Sequence, residues 1–351
     1  MIDVRGPSDW GLRTKKALAF DDVLLRPQYS EIETRNSVEI GNYLDGNLFY
    51  KLPIISSPMD TVTESTMAAT MNRNGGLGII HRYNSIEEQA QLVKDSYKLG
   101  VKNPAAAIGI SKDCIDRAKA LYDAGARILC IDVAHGHHIK MKEALRNLRN
   151  TFGRSVHIMA GNVATLEGFD DLSKWGADSI RVGIGGGSIC STRMVSGHGI
   201  PTLQSIMECS KTQHDVAIIA DGGIKTSGDI VKALAAGADF VMIGSMLAGT
   251  DETPGEVLTS GRGKKYKVYR GMASRAAQEN WRGKSSTPEG VSTTVTYKGP
   301  VTETLDDLAG GIKSGFSYSG SKNLAELQAK ARFIIQTSAG QYESSTHIMR
   351  R

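Results

Sequence analysis

Long apolar runs are missing from this chain of 351 residues. None approaches the roughly 20 residues that a membrane-spanning helix requires. The first residues, 1–5, also lack the apolar core of a secretory signal. Hydrophobic residues make up 40% and charged residues 23% of the chain, which excludes a disordered or fibrous protein. We therefore expect a soluble, cytoplasmic, globular protein.

Cysteine is scarce, with four residues at Cys114, Cys130, Cys190 and Cys209. No two of them form a CxxC pair, so neither a zinc site nor a redox dithiol is predicted. In a reducing compartment all of them should be free thiols. We interpret Cys114, Cys130 and Cys209 as small buried hydrophobic residues.

A large excess of charge of one sign is also absent. The 42 basic and 37 acidic residues give a net charge of +5, and both signs are scattered along the chain. A balance this mild is compatible with a phosphorylated small molecule as ligand. It is too weak to indicate a nucleic acid as partner.

A repeated pattern is present instead: a helical stretch, then Gly-Ala-Asp or a similar tripeptide, then a short β-branched run. The copies lie at residues 74–80, 124–132, 175–183 and 236–245. Each glycine fits the position after a helix C-terminus, where a positive φ is needed. Each following run is almost entirely apolar, which is typical of a parallel strand buried on both faces.

Further strands are predicted between these copies, at residues 52–57, 105–108, 156–160 and 216–220. Helical patterns, such as residues 86–99 and 115–123, separate the strands. Eight alternating units predict an α/β protein of the (β/α)8 TIM barrel class, with residues 1–351 as a single domain. An open, doubly wound sheet is the alternative, although the GxGxxG turn that usually follows its first strand is missing.

Residues 260–300 interrupt this alternation of strands and helices. They are rich in Gly, Lys, Arg, Ser and Thr and contain few large apolar side chains. A loop this long inside a compact domain is usually functional, so we interpret it as an active-site flap after strand eight. A disordered surface insertion is the alternative.

The glycine-rich loop of residues 183–187 follows the sixth predicted strand and leads to Ser188 and Cys190. Clustered glycines let backbone groups approach a ligand closely. A cysteine directly after such a loop, with Arg193 nearby, has the setting of a nucleophile. Because barrels carry their chemistry on the loops after the strands, we expect an enzyme.

The motifs of the chain, in their order, resemble the family of inosine monophosphate dehydrogenases and guanosine monophosphate reductases. The resemblance runs from about residue 17 to the C-terminus. It is carried by Ala19-Phe20-Asp21-Asp22-Val23-Leu24-Leu25-Arg26-Pro27, Ser57-Pro58-Met59-Asp60, Ile131-Asp132-Val133-Ala134-His135-Gly136-His137, Ala160-Gly161-Asn162-Val163, the Cys190 loop, Ala220-Asp221-Gly222-Gly223-Ile224, Met242-Ile243-Gly244-Ser245, Tyr269-Arg270-Gly271-Met272 and Pro288-Glu289-Gly290.

The resemblance implies a role for each matching residue. Cys190 would be the nucleophile that attacks C2 of a purine ring, and Thr192 and Glu289 would relay protons. Asp221 would bind the ribose hydroxyls, and Asp132 would contact the nicotinamide riboside of the cofactor. The 5′-phosphate residues would be Ser188, Gly223, Gly244, Ser245 and Tyr269, and those of the base and sugar pocket Ser57, Met59, Asn162, Gly271 and Met272.

The chain departs from the family pattern between strands two and three and in the nucleophile loop. Most of the dehydrogenases carry two regulatory CBS modules where this chain has only residues 87–106, so no CBS (Bateman) domain is predicted. The usual Gly-Pro-Gly before the nucleophile is Gly185-Gly186-Gly187, which predicts a looser loop.

The family catalyses two reactions through a shared purine–cysteine intermediate. The reductase expels ammonia from GMP and uses NADPH to make IMP, whereas the dehydrogenase oxidises IMP with NAD and hydrolyses the adduct to XMP. Dehydrogenases resemble one another in an Arg-Tyr pair on the flap that activates water, where this chain has Ala276-Ala277. Residues 273–288 contain no Tyr, and their only arginines are Arg275 and Arg282.

This difference favours a GMP reductase that uses NADPH. The first alternative is an IMP dehydrogenase that uses NAD and lacks CBS domains. The second is a non-catalytic purine nucleotide-binding protein, against which the intact Cys190, Thr192 and Glu289 argue. Arg282 has two interpretations. It is either a solvated charge on the loop or a relocated base that activates water.

Two kinds of metal site come into question. The cluster of His135, His137 and His138 invites a metal interpretation, but the family carries no metal there. In the dehydrogenases, a tail like residues 343–347 and loop carbonyls near Gly185, Gly187 and Cys190 bind a monovalent cation such as K⁺. The resemblance therefore implies a possible K⁺ site, and it also implies a homotetramer of barrels.

Overall fold

This structure, a computed structural model, describes residues 16–283 and 287–344, so residues 1–5 lie outside it. The strands are β1 (Val23–Leu25), β2 (Asn42–Asp45), β3 (Leu48–Tyr50), β4 (Ile54–Ser56), β5 (Leu77–Ile80), β6 (Ala105–Ile108), β7 (Ile128–Asp132), β8 (His157–Val163), β9 (Ser179–Val182), β10 (Ala217–Asp221), β11 (Phe240–Ile243), β12 (Leu258–Thr259), β13 (Lys265–Arg270), β14 (Ser292–Thr296) and β15 (Phe333–Ile335). The α-helices are α1 (Ser65–Arg73), α2 (Ile86–Lys98), α3 (Cys114–Asp123), α4 (Ile139–Phe152), α5 (Leu166–Trp175), α6 (Thr192–Ser196), α7 (Thr202–Cys209), α8 (Ser227–Ala235), α9 (Arg275–Arg282), α10 (Val301–Tyr318), α11 (Leu324–Lys330) and α12 (Ser338–Glu343). None of these helices is both long and apolar enough to cross a membrane.

Strands β4 to β11 form a closed parallel barrel in which each strand pairs with its neighbours in the chain. The barrel closes where β11 pairs with β4, with Val241 opposite Ile54 and Ile243 opposite Ser56. The predicted (β/α)8 barrel is therefore confirmed. The open-sheet alternative is wrong, because β4 and β11 would then be unpaired edges. The predicted strands match β4 to β11, and the largest difference is that β8 continues to Val163.

Side chains of the barrel strands alternate between two buried clusters, which explains the continuous apolar runs. Ile54, Ile80 and Val241 belong to the cluster between the strands and the helices. The cluster inside the barrel consists of Ile55, Leu77, Ile79, Ala105, Ala107, Ile128, Cys130, Met159, Ile219, Phe240 and Met242, together with Leu44 of the β2–β3 hairpin. Cys114, Cys130 and Cys209 are buried, as predicted, and burial raises the pKa of Cys130 to about 12.

The β2–β3 hairpin covers the end of the barrel at which the strands begin. Leu44 is 1% exposed and packs into the interior cluster, where the ring of Tyr50 meets that of Phe240 edge to face at 6.1 Å. The Asp45 carboxylate lies 2.6 Å from Nδ1 of His157, the first residue of β8. These contacts fill that end of the barrel, so the opposite end is the one available to a ligand.

The repeated Gly-Ala-Asp motif ties neighbouring barrel strands together. In its third copy the Asp178 carboxylate accepts a hydrogen bond from the backbone N–H of Ile158 at 2.7 Å. In its fourth copy the Asp239 carboxylate accepts one from the N–H of Ile218 at 2.8 Å. Each aspartate precedes its own strand and binds the beginning of the strand before it, so the motif fixes the register of the two strands.

The two aspartates differ in their charged partners. Arg149 and Arg154 both form ion pairs with Asp178. Asp239 instead accepts a hydrogen bond from the neutral side chain of Asn42 at 3.1 Å. Burial raises the pKa of Asp239 to about 6, and its hydrogen bonds offset this only in part.

Asp239→Asn should change how the stability of the folded protein depends on pH. The pKa of Asp239 is about 6 in the folded protein against an ordinary 3.8, so folding favours the protonated carboxyl. That stabilisation is complete below about pH 4 and is lost as the pH rises to about 6. We therefore expect urea unfolding to show Asp239→Asn gaining stability relative to wild type across this window. The exposed Asp116→Asn serves as control, and a difference independent of pH at position 239 would contradict the prediction.

In the described part of residues 260–300, β13 and β14 form an antiparallel sheet with β12, which lies just before this segment, and helix α9 stands between β13 and β14 in the chain. Ser274 caps α9, since its hydroxyl accepts a hydrogen bond from the N–H of Ala277. Arg270 at the end of β13 binds the carboxylate of Asp60, with Nε 3.0 Å from Oδ2. Asp60 follows β4, so this ion pair holds the flap against the barrel.

Candidate active site

A cavity of about 730 Å³ lies at the end of the barrel where the strands finish. The loops after the barrel strands form most of its wall, and the flap and residues 19–21 also contribute. Every residue that the sequence assigned to the site lines it: Ser57, Met59, Asp132, Asn162, Gly185, Gly187, Ser188, Cys190, Thr192, Asp221, Gly223, Gly244, Ser245, Tyr269, Gly271, Met272 and Glu289. The fold thus brings together residues that lie far apart in the chain.

Three side chains form a line of hydrogen bonds at one wall of the cavity. The Sγ of Cys190 lies 3.1 Å from Thr192 Oγ1, and that hydroxyl lies 2.8 Å from Glu289 Oε2. Cys190 comes from the loop after β9, Thr192 begins α6, and Glu289 belongs to the flap. A hydroxyl can accept one proton while it donates another, so this line can carry a proton between the thiol and the carboxylate.

Backbone hydrogen bonds pair the end of the flap with the nucleophile loop. The N–H of Ser191 donates to the carbonyl of Glu289 at 3.0 Å, and the N–H of Val291 donates to the carbonyl of Ile189 at 3.1 Å. These two bonds flank an antiparallel bridge at Cys190. These backbone contacts place Glu289 beside Cys190 and Thr192.

Hydroxyl groups of Ser188, Ser245 and Tyr269 converge in another part of the cavity. Burial raises the pKa of Tyr269, and hydrogen bonds with Ser188 and Ser245 offset this in part. A Cβ at Gly244 would lie 3.1 Å from Met59 Sδ and 3.2 Å from the Tyr269 hydroxyl oxygen, so glycine keeps this space open. Hydroxyls around an accessible backbone suit an anion such as phosphate.

Packing holds the middle glycine of the triglycine loop in place. A Cβ at Gly186 would lie 2.5 Å from Oγ1 of Thr202, the first residue of α7. Thr202 is 4% exposed, and its hydroxyl has no hydrogen-bond partner in the described part of the chain. Thr202 thus occupies the space that a proline at position 186 would need, and the loop is packed at this glycine.

Arg181 is a buried cation that the sequence analysis missed. Its NH1 lies 2.7 Å from Asp132 Oδ1 and its NH2 lies 2.8 Å from Asp221 Oδ2. The Nδ2 of Asn162 donates to the same oxygen of Asp221 at 2.8 Å. The residues predicted for the ribose and for the cofactor therefore share one arginine. The signal in the sequence was a charged residue between the apolar residues Ile180 and Val182 of a buried strand.

Asp132 is held as a carboxylate beside an aromatic wall. Burial raises its pKa, but Arg181 and Arg82 outweigh burial, so the pKa of Asp132 lies below its ordinary value. The Tyr83 hydroxyl donates a hydrogen bond to Asp132 at 3.2 Å. Tyr83 meets Trp281 of the flap edge to face at 5.5 Å, and the Arg82 guanidinium lies 5.8 Å from the Trp281 ring. Arg82, Tyr83 and Trp281 had no predicted role in the site.

The histidines after β7 include two with structural partners. His137 Nε2 lies 3.0 Å from Asp171 Oδ2, and His138 caps α4 by accepting a hydrogen bond from the N–H of Lys140. In residues 16–283 and 287–344, no group of three or more His, Cys, Asp or Glu side chains is arranged to hold a metal ion. These partners account for His137 and His138 without a metal.

The possible K⁺ site depends on backbone carbonyls of the nucleophile loop. The carbonyl of Gly187 accepts a hydrogen bond from the N–H of Cys190 at 3.1 Å, which turns the loop. Residues 345–347 of the tail that the resemblance assigns to this site lie outside the described residues. The K⁺ site at Gly185, Gly187 and Cys190 therefore stays a prediction.

Comparison with known proteins identifies the family. The family described as "IMP dehydrogenase / GMP reductase domain" matches residues 17–347. Inosine-5′-monophosphate dehydrogenase of Nitrosopumilus maritimus is 34% identical over 95% of this chain and 98% of its own length, and GMP reductase of Leishmania major is 35% identical over 95% and 97%. The chain therefore belongs to the IMP dehydrogenase / GMP reductase family, whose members are oxidoreductases that act on purine nucleotides.

A solved structure agrees in fold along nearly the whole chain. A crystal structure of a cysteine-to-alanine variant of GMP reductase from Trypanosoma brucei, in complex with guanosine 5′-monophosphate, superposes with a TM-score of 0.90 at 32% identity. It covers 97% of this chain and 99% of that chain. Relatives named dehydrogenase and relatives named reductase are equally similar, so identity by itself does not choose between the two reactions.

Relatives of both names are longer than this chain. The alignment with the Leishmania major protein spans 479 positions against 351 residues here, so that relative has segments without a counterpart in this chain. Between β5 and β6, where the CBS modules were expected to be missing, the structure has helix α2 and its short connections.

Proposed function

We propose that this protein is a GMP reductase, which uses NADPH to convert GMP to IMP and ammonia through a covalent Cys190–purine intermediate. The observation that carries the proposal is the make-up of the flap helix α9. Ala276 and Ala277 stand where dehydrogenases carry their water-activating Arg-Tyr pair, and Ala277 is 1% exposed. Apart from Arg282, whose side chain lies outside the described part of the structure, the residues of α9 that line the cavity are Gln278 and Trp281, and neither is a base.

The relay accounts for the proton balance of the deamination. Cys190 adds to C2 of the purine, and its thiol proton passes through Thr192 to Glu289 over the 3.1 Å and 2.8 Å contacts. The same carboxyl returns a proton to the amino group, which then leaves C2 as ammonia. NADPH, when bound, supplies the hydride that replaces sulfur at C2 and frees Cys190.

The remaining residues fit the substrate by their chemistry. Asp221, oriented by Arg181 and Asn162, can accept hydrogen bonds from two ribose hydroxyls. The Oδ1 of Asn162 is buried without a partner in the described part of the chain. The phosphate would bind at Ser188, Gly223, Gly244, Ser245 and Tyr269, and the base beside Ser57, Met59, Asn162, Gly271 and Met272.

The wall around Asp132 suits a nicotinamide cofactor. Asp132 is an ionised acceptor for ribose hydroxyls, and Tyr83 and Trp281 offer aromatic surface for a flat ring. The guanidinium of Arg82 beside them adds a positive charge that suits a phosphorylated cofactor. The proposed reduction requires a reduced nicotinamide, and the resemblance to the reductases implies NADPH. The K⁺ site, the homotetramer and the cytoplasmic location stay predictions.

IMP dehydrogenase is the second candidate. In its favour, Glu289 lies at the cavity and could itself activate water, and relatives with that name are as similar as the reductases. A non-catalytic nucleotide-binding protein would have no use for the aligned Cys190, Thr192 and Glu289. We therefore keep it as the third candidate.

Turnover assays with both substrate pairs decide among the three. Purified protein receives GMP with NADPH and, separately, IMP with NAD, and the products are identified by chromatography. A reductase forms IMP and ammonia from the first pair, and without NADPH it exchanges the amino group of GMP with isotopically labelled ammonium. Formation of XMP from the second pair, with no reaction of the first, would establish the dehydrogenase. Binding without either reaction would establish the third candidate.

Arg282 allows a sharper test of the missing base. It ends α9, next to Trp281, and lies seven residues before Glu289. We expect wild type and Arg282→Ala to form XMP from IMP and NAD slowly or not at all, since loss of a general base typically costs about 10²–10⁴ in rate. Arg275→Ala, the other flap arginine, serves as control. Fast XMP formation in wild type that only Arg282→Ala abolishes would make Arg282 the water-activating base and overturn the reductase.

A further inference from the structure

Lys267 in the flap strand β13 is a buried ammonium outside the relay and the substrate contacts. The side chain is 2% exposed, although it stands in a segment rich in charged surface residues. Its Nζ lies 3.1 Å from the carbonyl oxygen of Thr250, 3.5 Å from that of Asp251 and 2.5 Å from that of Thr253. An ammonium has three N–H donors, and here each faces a backbone carbonyl.

The three carbonyls belong to a turn that is built to face inward. Thr250 is 0% exposed and Thr253 4%. The Thr253 hydroxyl donates to the carbonyl of Thr250 at 2.8 Å, and the Thr250 hydroxyl donates to the carbonyl of Leu247 at 2.9 Å. Burial lowers the pKa of Lys267, and the charges of Asp251 and Glu252 offset this in part. The turn therefore supplies the ammonium with both oxygen ligands and negative charge.

This turn joins the flap to the barrel. The Tyr297 hydroxyl donates to the Asp251 carboxylate at 2.6 Å, and the Glu252 carboxylate accepts the N–H of Val301 at 2.8 Å. Tyr297 follows flap strand β14, and Val301 begins α10, the helix that returns to the barrel. The turn also continues the segment that starts at the cavity with Gly244. Its position thus affects both flap strands and one cavity loop.

Lys267 and Tyr269 share one face of β13, because side chains alternate along a strand. Both are buried, at 2% and 4% exposure, whereas Val268 between them is 41% exposed. The carbonyl turn therefore holds Lys267 on the face from which Tyr269 enters the cavity.

We propose that the turn of Thr250, Asp251 and Thr253 is a monovalent-cation site that Lys267 fills with its tethered ammonium. K⁺ binds where carbonyl oxygens replace its hydration shell. An ammonium group can donate hydrogen bonds to the same set of carbonyl oxygens. Lys267 is thereby a positioning residue: it fixes β13 so that Tyr269 and Gly271 face the substrate. This site is separate from the K⁺ site predicted at the Cys190 loop.

Removal of the Lys267 side chain should make nucleotide binding depend on an added monovalent cation. Lys267→Ala leaves the three carbonyl oxygens without the ammonium group. Lys267→Met fills the space of the lysine side chain with an uncharged chain of similar length. We expect Lys267→Ala to raise the KM for the nucleotide about ten-fold or more, with a smaller fall in kcat, because buried carbonyls lose their partner and Tyr269 shifts. Methylammonium, ammonium or K⁺ should restore the KM of Lys267→Ala, whereas choline should not. The KM of Lys267→Met should respond to none of these cations. Lys264→Met, an exposed lysine of the same flap, is the control.

A second readout works without turnover and does not depend on which family reaction the chain performs. Hydrogen exchange of the β13 amides and the midpoint of thermal unfolding are measured for wild type and the three variants in methylammonium, K⁺ and choline chlorides. We expect β13 of Lys267→Ala to exchange faster in choline and to regain protection in methylammonium or K⁺, with a rise in Tm that wild type and Lys264→Met do not show. Two outcomes would overturn the cation site: protection and Tm of Lys267→Ala that rise equally in choline, or that respond to no cation, whether the variant folds or not. Neither outcome would affect the assignment of the reaction.

Discussion

Cys190→Ala is expected to abolish turnover and to leave nucleotide binding nearly intact. The thiol forms the covalent bond to C2 in the proposed reaction, so its loss should lower kcat by about 10³ or more. The contacts expected to hold phosphate and ribose come from other groups, such as Tyr269 and Asp221, which line the same cavity. Turnover with GMP and NADPH and calorimetric titration with GMP measure the two effects separately.

The control for this variant is Cys114→Ala. Cys114 is buried at the start of α3, and burial raises its pKa to about 11, so it should stay an inert thiol. We expect Cys114→Ala to keep its turnover and to form the purine adduct, seen by mass spectrometry of enzyme quenched with GMP. Turnover of Cys190→Ala above about a tenth of wild type would remove Cys190 from the mechanism.

Glu289→Gln should slow the release of ammonia far more than it weakens binding. Its carboxylate lies 2.8 Å from the Thr192 hydroxyl and must take up a proton and return it, which an amide cannot do. Loss of such acid–base catalysis typically costs about 10²–10⁴ in rate. The measurement is exchange of the GMP amino group with labelled ammonium, together with kcat and KM for GMP.

Two comparisons separate the relay from a structural role of the flap. Glu279→Gln changes an exposed carboxylate on α9 of the same flap and should leave kcat unchanged. Thr192→Ser keeps the hydroxyl between Cys190 and Glu289, whereas Thr192→Val removes it, so only the valine variant should resemble Glu289→Gln. If Glu289→Gln raised KM and left kcat unchanged, Glu289 would serve in binding only.

The fold was predictable because the signals for a parallel barrel are local. The barrel strands are short, mostly apolar runs, and four of them follow a helix-ending glycine. Strand β6 begins and ends where the sequence predicted, and β7 ends where predicted. A strand that is buried on both faces needs apolar side chains at every position, whatever its neighbours are. The flap sheet was not predicted, since β12 and β14 are mostly exposed and carry no such run.

The residues missed at the site are those whose role depends on a partner far away in the chain. Arg181 is explained only by its two aspartates, one of them 49 residues before it. Trp281 became part of the cavity wall because the flap packs it against Tyr83. Lys267 stands in a polar segment of the sequence, and only the folded flap sheet places it, buried, against the carbonyl turn.

The sequence by itself determined the barrel, the family and many of the residues that line the cavity, because strand patterns and motif order are properties of neighbouring residues. Only the tertiary structure decided which of those residues touch: that Glu289 reaches Cys190 through Thr192, that Arg181 couples Asp132 to Asp221, and that Thr202 occupies the space beside Gly186. Hydrogen bonds and ion pairs act over a few ångströms, and folding sets those distances independently of separation along the chain.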